Sequence, residues 1–312
     1  MEARVSSKNS TIDRSKISGR SDGMVLKALR GLERVSPSLA ARVAVDWMFR
    51  TRRGRVEAWE RVLLEDAERF SLDGPAGPLA VYRFGRGPLV LLVHGWNGRA
   101  TQLGAFVPAL VSAGYQVVAF DAPGHGASGG SRSSIVAFAN AFDTVVDAVR
   151  PFCQPIHGVV THSLGGSAVA FAMGRALAEE ERGGDAAFSR TRLVFIAPPT
   201  DMLEVTGQFS TALGLGAETL TEMQRVAEQR LRTRFEEANT LRLASTINLP
   251  LLVLHDREDR AVSIEHGRRL AEAWPDAELG VTSGLGHNRI LRDENIVRRA
   301  TNFIREGKTG AS

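Results

Sequence analysis

The sequence predicts an α/β protein with a mostly parallel central sheet covered by helices on both faces. Three observations carry this reading. Short continuous apolar runs recur at residues 89–93, 116–120, 158–160, 193–196 and 251–254, as strands buried on both faces require. Helical windows at about 101–113, 133–150, 164–180 and 263–274 separate them, which is the alternation of βαβ units. Chemistry-bearing residues follow directly after the runs, at the carboxyl ends of the strands, where such sheets place their ligands.

Taken in order, residues 1–23 are polar and Ser-rich without periodicity and read as a flexible tail. Its acidic residues and the lack of an apolar stretch argue against a secretory signal, and Met24 is an alternative first residue. From Met24 the spacing becomes helical, with Leu26, Leu29 and Leu32 on one stripe. Ser36-Pro37 supplies a cap and an N1 proline for a second helix carrying Leu39, Val43, Trp47 and Met48. That helix runs into Arg50, Arg52, Arg53 and Arg55, so residues 24–69 form a basic helical extension. Its apolar face is expected to pack on the body, the alternative being weak contact with an anionic membrane surface through residues 24–56. Beyond it, residues 79–82 read as an outer strand and residues 278–281 as the last strand of a domain that spans 70–312.

Charge and composition narrow the function. The 312 residues hold 43% apolar side chains and a net charge of +4, with a pI near 9.7. The charge is uneven: residues 1–56 carry +8 and residues 57–312 carry −4. The basic excess is thus an N-terminal feature without a zinc-finger, homeodomain or RNA-recognition motif, and nucleic-acid binding is not expected. A single cysteine, Cys153, excludes an intramolecular disulfide and a multi-cysteine metal cluster. It suits a cytoplasmic protein, peripheral to the membrane at most. No run of about 18 apolar residues suggests a membrane span.

Four strand ends carry a signal. They read His94-Gly95-Trp96-Asn97-Gly98, Asp121-Ala122-Pro123-Gly124-His125-Gly126-Ala127-Ser128, Thr161-His162-Ser163-Leu164-Gly165-Gly166 and His255-Asp256-Arg257-Glu258-Asp259-Arg260-Ala261-Val262. Ser163 stands between an apolar strand and an Ala-rich helix, the context of a nucleophile elbow, whose tight turn needs small residues two before and two after the serine. Gly165 meets that need, but Thr161 occupies the first place, where glycine is usual. The plain alternative for Ser163 is a helix N-cap.

A serine hydroxyl needs a base, and the base needs an orienting carboxylate. Of seven histidines, His94 and His125 lie in turns, His157 precedes a strand, His255 ends one and His266 sits in a helix. His162 adjoins Ser163 and is expected to direct its side chain elsewhere. His287, in Gly284-Leu285-Gly286-His287, remains as the base. Asp256, Glu258 and Asp259 compete as the acid, and Asp259 is preferred because Arg260-Ala261-Val262 turns into the next helix. Serine, acid and histidine then follow in the chain order of the nucleophile-elbow hydrolases.

On these five motifs, with Gly286-His287 as the fifth, residues 70–305 resemble the α/β-hydrolase superfamily, and most of all its haloperoxidase-like and monoglyceride-lipase-like bacterial serine hydrolases. The resemblance implies an oxyanion hole from the backbone N–H groups of Trp96 and Leu164. Ser163 separates the chain from the dehalogenases and epoxide hydrolases of this fold, which carry aspartate at the elbow. Acyl transfer remains, with no cofactor and no metal. Residues 200–248 exceed one crossover helix, and in relatives an insertion here forms a cap. Within it a helix is expected from Glu218 to about Asn239, and Phe209, Leu213, Leu215, Leu220 and Met223 are candidate walls of an acyl pocket, unless they only anchor that helix. The expected activity is cleavage of a small or medium hydrophobic carboxylic ester. The alternatives are a thioesterase, a lysophospholipase, an aminopeptidase-type amidase, a perhydrolase and a catalytically silent binding module.

Overall fold

Eight strands form one sheet in the order β1-β2-β4-β3-β5-β6-β7-β8 in a computed structural model of the chain, which describes residues 20–150, 156–180, 188 and 190–306. The strands are β1 (Glu68–Gly74), β2 (Gly77–Phe84), β3 (Leu89–Val93), β4 (Gln116–Phe120), β5 (Ile156–His162), β6 (Arg192–Ile196), β7 (Leu251–Asp256) and β8 (Ala277–Thr282). β1, β2 and β4 pair antiparallel, and from β4 to β8 every pairing is parallel. Cys153 and residues 1–19 lie outside the described residues.

The apolar runs work by alternation. Leu91, Val93, Val118, Phe120, Val159, Phe195 and Val253 enter one core cluster. Their neighbours Val90, Leu92, Val117, Ala119, Val160, Val194 and Leu252 enter the other. Successive strand residues face opposite sides, so a strand covered on both sides must be apolar throughout. The first cluster is closed by α5 (Ile135–Val149), α6 (Leu164–Glu180) and α10 (Ile264–Ala273). The second is closed by α4 (Phe106–Ser112) and α12 (Glu294–Glu306). Ser134 caps α5 by accepting from the Ala137 N–H at 3.0 Å.

The N-terminal helices are α1 (Arg20–Val35) and α2 (Pro37–Met48), followed by the short α3 (Ala58–Glu65). The Ser36 hydroxyl accepts from the Leu39 N–H at 3.3 Å and Pro37 sits in the first turn, as the sequence implies. Helix α1 begins at Arg20, four residues ahead of the Met24 read from the apolar stripe. The inner face of the hairpin joins the first core cluster through Leu29, Ala40, Ala41, Ala44 and Val45.

Between β6 and β7 lie α7 (Met202–Leu213), α8 (Ala217–Leu231) and α9 (Thr240–Ala244). The helix expected to reach Asn239 stops at Leu231, where Arg232 adopts a left-handed φ of 52° and the Glu228 carboxylate accepts from the Phe235 N–H at 2.8 Å. Edge strand β1 and helix α3 have no counterpart among the apolar runs, because β1 is mostly exposed and α3 is only eight residues long.

Candidate active site

The turn from β5 into α6 carries Ser163, whose φ of 51° lies in the left-handed region that β-carbon sterics disfavour by about 1–2 kcal/mol. The strain holds because the surrounding bonds leave no alternative: the Ser163 N–H donates to the Ile196 carbonyl at 2.8 Å, and the Gly166 N–H donates to the Ser163 carbonyl at 3.0 Å. Two close approaches explain the glycines. A β-carbon at Gly165 would lie 2.6 Å from the His94 carbonyl oxygen, and one at Gly95 would lie 2.8 Å from the Ser163 Cβ. Thr161 fits where glycine is usual because Gly166 makes room: a β-carbon there would come within 3.0 Å of the Thr161 hydroxyl.

His287 occupies the short helix α11 (Gly286–Arg289), after β8. Its Nδ1 donates to the Asp259 carboxylate at 2.6 Å, which leaves Nε2 as the free lone pair of the neutral ring. The other Asp259 oxygen accepts from the Ala261 and Val262 N–H groups at 2.8 and 2.9 Å. Burial opposes the charge on Asp259, but bonds from His255 and His287 outweigh it and hold the carboxyl well below the usual carboxylate range. His255 Nε2 donates mainly to the Val262 carbonyl at 3.0 Å and stands 3.5 Å from Asp259.

His162 is not directed away from the site. It is buried with its ring centre 4.6 Å from that of His287, and its Nε2 donates to the His287 main-chain carbonyl at 2.9 Å. Burial, reinforced by the neighbouring His287, pushes its pKa well down and keeps it neutral. The expectation failed because strand alternation fixes which way His162 points, but the approach of the distant β8–α11 loop on that side is a tertiary fact. Asp256, the rejected acid, also acts here. Its carboxylate accepts from the Thr282 hydroxyl at 2.7 Å, the Leu285 N–H at 3.0 Å and the Glu258 N–H at 2.9 Å. Burial works against its charge, yet bonds from Thr282, Gly286, Glu258 and Leu285 together hold its carboxyl below the ordinary value. Asp259 therefore orients the ring of His287, while Asp256 fixes the loop that delivers it.

Two neutral imidazoles help to hold the loop after β3. His94 Nε2 accepts from the Ala122 N–H at 3.0 Å while its Nδ1 lies 2.7 Å from the Gly95 carbonyl. His125 Nε2 accepts from the Asn97 N–H at 3.0 Å, and its Nδ1 donates to the Pro123 carbonyl at 2.9 Å. Burial lowers the pKa of His94 to about 4 and of His125 to about 3, so both stay neutral at physiological pH. Asn97 takes a left-handed φ of 56°, which asparagine tolerates, and its side-chain oxygen accepts from the Arg52 N–H at 2.8 Å. Trp96, between Gly95 and Asn97, lines the same cavity as Leu164 and Ser163.

That cavity has a volume of about 520 Å³. Ser163, Leu164, Trp96, His162 and His287 form its floor, and α7 contributes Met202, Val205, Thr206 and Phe209, a helical stripe at spacings of three and four. Leu231 and Phe235 close it from α8 and the turn beyond, Ile135 from α5, Val262 from the loop after β7, and Met48 and Phe49 from the end of α2. Of the expected wall residues, Phe209 is present. Leu213, Leu215 and Met223 are not among the lining residues: Leu213 and Met223 are fully buried in the core cluster shared with Leu29 and Ala41, and Leu215 packs against it. Leu220 packs toward Gly207 of α7. Leu213 and Met223 thus anchor the end of α7 and the middle of α8 on the core instead of facing the cavity. Among the described residues no group of three or more His, Cys, Asp and Glu side chains is placed to hold a metal ion, and no helix is long and apolar enough to cross a membrane.

Residues 90–299 match the alpha/beta hydrolase family. An esterase of Pyrococcus furiosus superposes with a TM-score of 0.59 at 19% identity, over 82% of this chain and 98% of that one. Est1E of Butyrivibrio proteoclasticus, solved with ferulic acid bound, gives 0.60 at 20% identity over 77% and 99%. A bromoperoxidase of Bacillus anthracis gives 0.54 at 18% identity over 77% and 100%. With the elbow, the imidazole and the buried carboxylate gathered on one parallel sheet, and with two thirds of its length matched, the chain belongs to the alpha/beta hydrolase family.

Proposed function

We propose that this protein is a serine esterase that cleaves uncharged, hydrophobic carboxylic esters through an acyl-enzyme on Ser163. The observation that carries the reading is the union of three features in one place. A strained serine and an imidazole tied to a buried carboxylate share an apolar cavity, and among the described residues its wall holds no Lys, Arg, Asp or Glu. In this reading the Ser163 hydroxyl attacks the acyl carbon and His287 Nε2 takes its proton. Asp259 stabilises the imidazolium that forms, and the backbone N–H groups of Trp96 and Leu164 receive the oxyanion. Collapse expels the alcohol, protonated by His287, and water repeats the sequence to release the acid.

The uncharged wall selects within the acyl-transfer class. An aminoacyl amide would present an ammonium and a lysophospholipid a phosphate, and burying either without a counter-charge is strongly unfavourable. Among the described residues the one titratable wall group outside the floor, His266, is itself kept neutral by burial. A volume near 520 Å³ suits a small or medium ester. The similarity to esterases of the same fold supports the coarse activity.

The test is turnover of p-nitrophenyl acetate and butyrate together with labelling by a fluorophosphonate probe. Parent protein should turn over both esters and take the label at Ser163, and Ser163→Ala should lose both, with activity down by about 10⁴-fold or more. Folded parent with neither turnover nor label would refute the reading.

A further inference from the structure

We propose that the N-terminal hairpin is a working part of the active site: Met48 and Phe49 form a specificity wall for the acyl chain, and the strap that follows them, residues 49–53, braces the oxyanion loop. This rests on the esterase reading above and goes beyond it, because the family match begins at residue 90 and leaves the hairpin outside.

Two sets of contacts carry the inference. The first docks the hairpin on the helices that roof the cavity. Ala40, Ala41 and Ala44 on α2 are fully buried and permit close approach to the first core cluster. Arg30 donates to the Leu213 carbonyl at 3.1 Å, and Glu33 accepts from the Gly216 N–H and the Thr219 hydroxyl, each at 2.7 Å. At the cavity end, Trp47 meets Phe209 edge-on at 6.4 Å. The second set stitches the strap to the loops beneath. The Ser133 N–H donates to the Phe49 carbonyl at 2.9 Å, and the Thr51 N–H donates to the Ser131 carbonyl at 3.1 Å. The Thr51 hydroxyl donates to the Gly124 carbonyl at 2.7 Å, and the Arg52 N–H to the Asn97 side chain at 2.8 Å. Arg53 reaches the Ser128 and Gly130 carbonyls at 2.5 and 2.9 Å.

Met48 and Phe49 sit at the joint between these two sets, where the backbone is fixed from both sides, and both side chains face the cavity. A wall fixed in this way discriminates by volume, since neither the helix above nor the strap below can yield to a longer chain. The same strap puts a hydrogen bond on Asn97, the residue after Trp96, so the hairpin's seating reaches the loop on which the oxyanion is received.

The experiment compares kcat/KM for p-nitrophenyl butyrate and octanoate in parent, Phe49→Ala, Phe49→Leu, Phe49→Trp and Met48→Ala, with fluorophosphonate labelling of Ser163 run in parallel. Removing the ring should raise the octanoate-to-butyrate ratio and the indole should lower it, each by about tenfold, the low end for one methylene in an apolar pocket. Val35→Ser and Leu39→Ser, at positions on the same hairpin that are 83% and 49% exposed and do not line the cavity, should keep the parent ratio. If Phe49→Ala does not fold, the leucine and tryptophan variants carry the comparison. Folded variants that label normally and keep the parent ratio would overturn the specificity wall alone. A parent that fails to label at Ser163 would overturn the esterase reading and this proposal with it.

Discussion

The two sides of the site are built from different materials. On the proton-transfer side, two buried carboxylates act on one loop: Asp259 holds the His287 ring and Asp256 holds the amides just ahead of it. On the opposite side, the loop carrying Trp96 is held by two neutral imidazoles and by main-chain and amide groups. The difference follows from the charge each side must stabilise. In the proposed reaction a cation develops on the imidazole, where nearby carboxylates help, and an anion develops opposite, where a carboxylate would repel it. Asp121 and Glu60 are the apparent exceptions, yet Asp121 is taken up by the Ala100 and Ala127 N–H groups at 2.7 and 2.8 Å and the Tyr82 hydroxyl at 3.0 Å, and Glu60 by the Thr101 hydroxyl at 2.7 Å with the Arg99 guanidinium 3.5 Å away.

That contrast can be broken at graded points. Asp259→Asn should have the largest effect, lowering kcat by about 10⁴-fold with KM little changed, because an amide no longer fixes the tautomer that leaves Nε2 free. Retention of a tenth of parent kcat in steady-state ester hydrolysis would place the acid elsewhere. Asp256→Asn comes next: the loop loses an ionic acceptor without loss of the acid, so kcat should fall about 10²-fold from misplacement of His287. A urea melt of the same variant should show a loss of about 1–3 kcal/mol, the penalty of a buried N–H left without its acceptor.

On the oxyanion side the effects should be milder. Asn97→Gly keeps the left-handed backbone but removes the acceptor for the strap, and kcat should fall about tenfold with KM within about twofold. Asn97→Ser, which restores a neutral acceptor oxygen, should recover part of that loss, and equal rates in the two variants would show that the strap does not brace the loop.

The smallest effect is a pH slope. His94 and His125 have native pKa values of about 4 and about 3, below the ~6.5 of an unfolded imidazole, so the unfolded chain binds more protons as pH falls below about 6.5. Their contribution to stability is therefore complete above that pH and declines toward about 4 for His94 and about 3 for His125. Each group accounts for up to about 1.4 kcal/mol per pH unit. His162, whose pKa is also depressed by burial, acts with the same sign. Denaturation midpoints between about pH 5 and 6.5 isolate the imidazoles from the carboxylates, and His125→Asn should flatten the slope there. An unchanged slope would mean that His125 is not held neutral in the fold.

Much of this site is legible in the sequence because each part is a short-range pattern. Thr161–Gly165, His94–Gly98 and the segments ending at Asp259 and His287 each follow an apolar run, and a parallel sheet brings the ends of its strands to one edge whatever lies between them. The fold class and the positions of Ser163, Asp259 and His287 were therefore legible as local patterns, though packing brings the last two together. What only the tertiary structure decided is how distant segments meet. The cavity wall draws on residues 48–49, 135, 202–209, 231–235 and 262, and no local pattern says which apolar face looks into the cavity and which into the core. Leu213 and Met223 went to the core, while Met48 and Phe49, in an extension whose most visible sequence feature is its basic charge, went to the wall. His162 and Asp256 show the same limit for polar groups. Their type and strand position are written in the chain, but their partners on the His287 loop lie 125 and 29 residues away, and only packing brings that loop within hydrogen-bond reach.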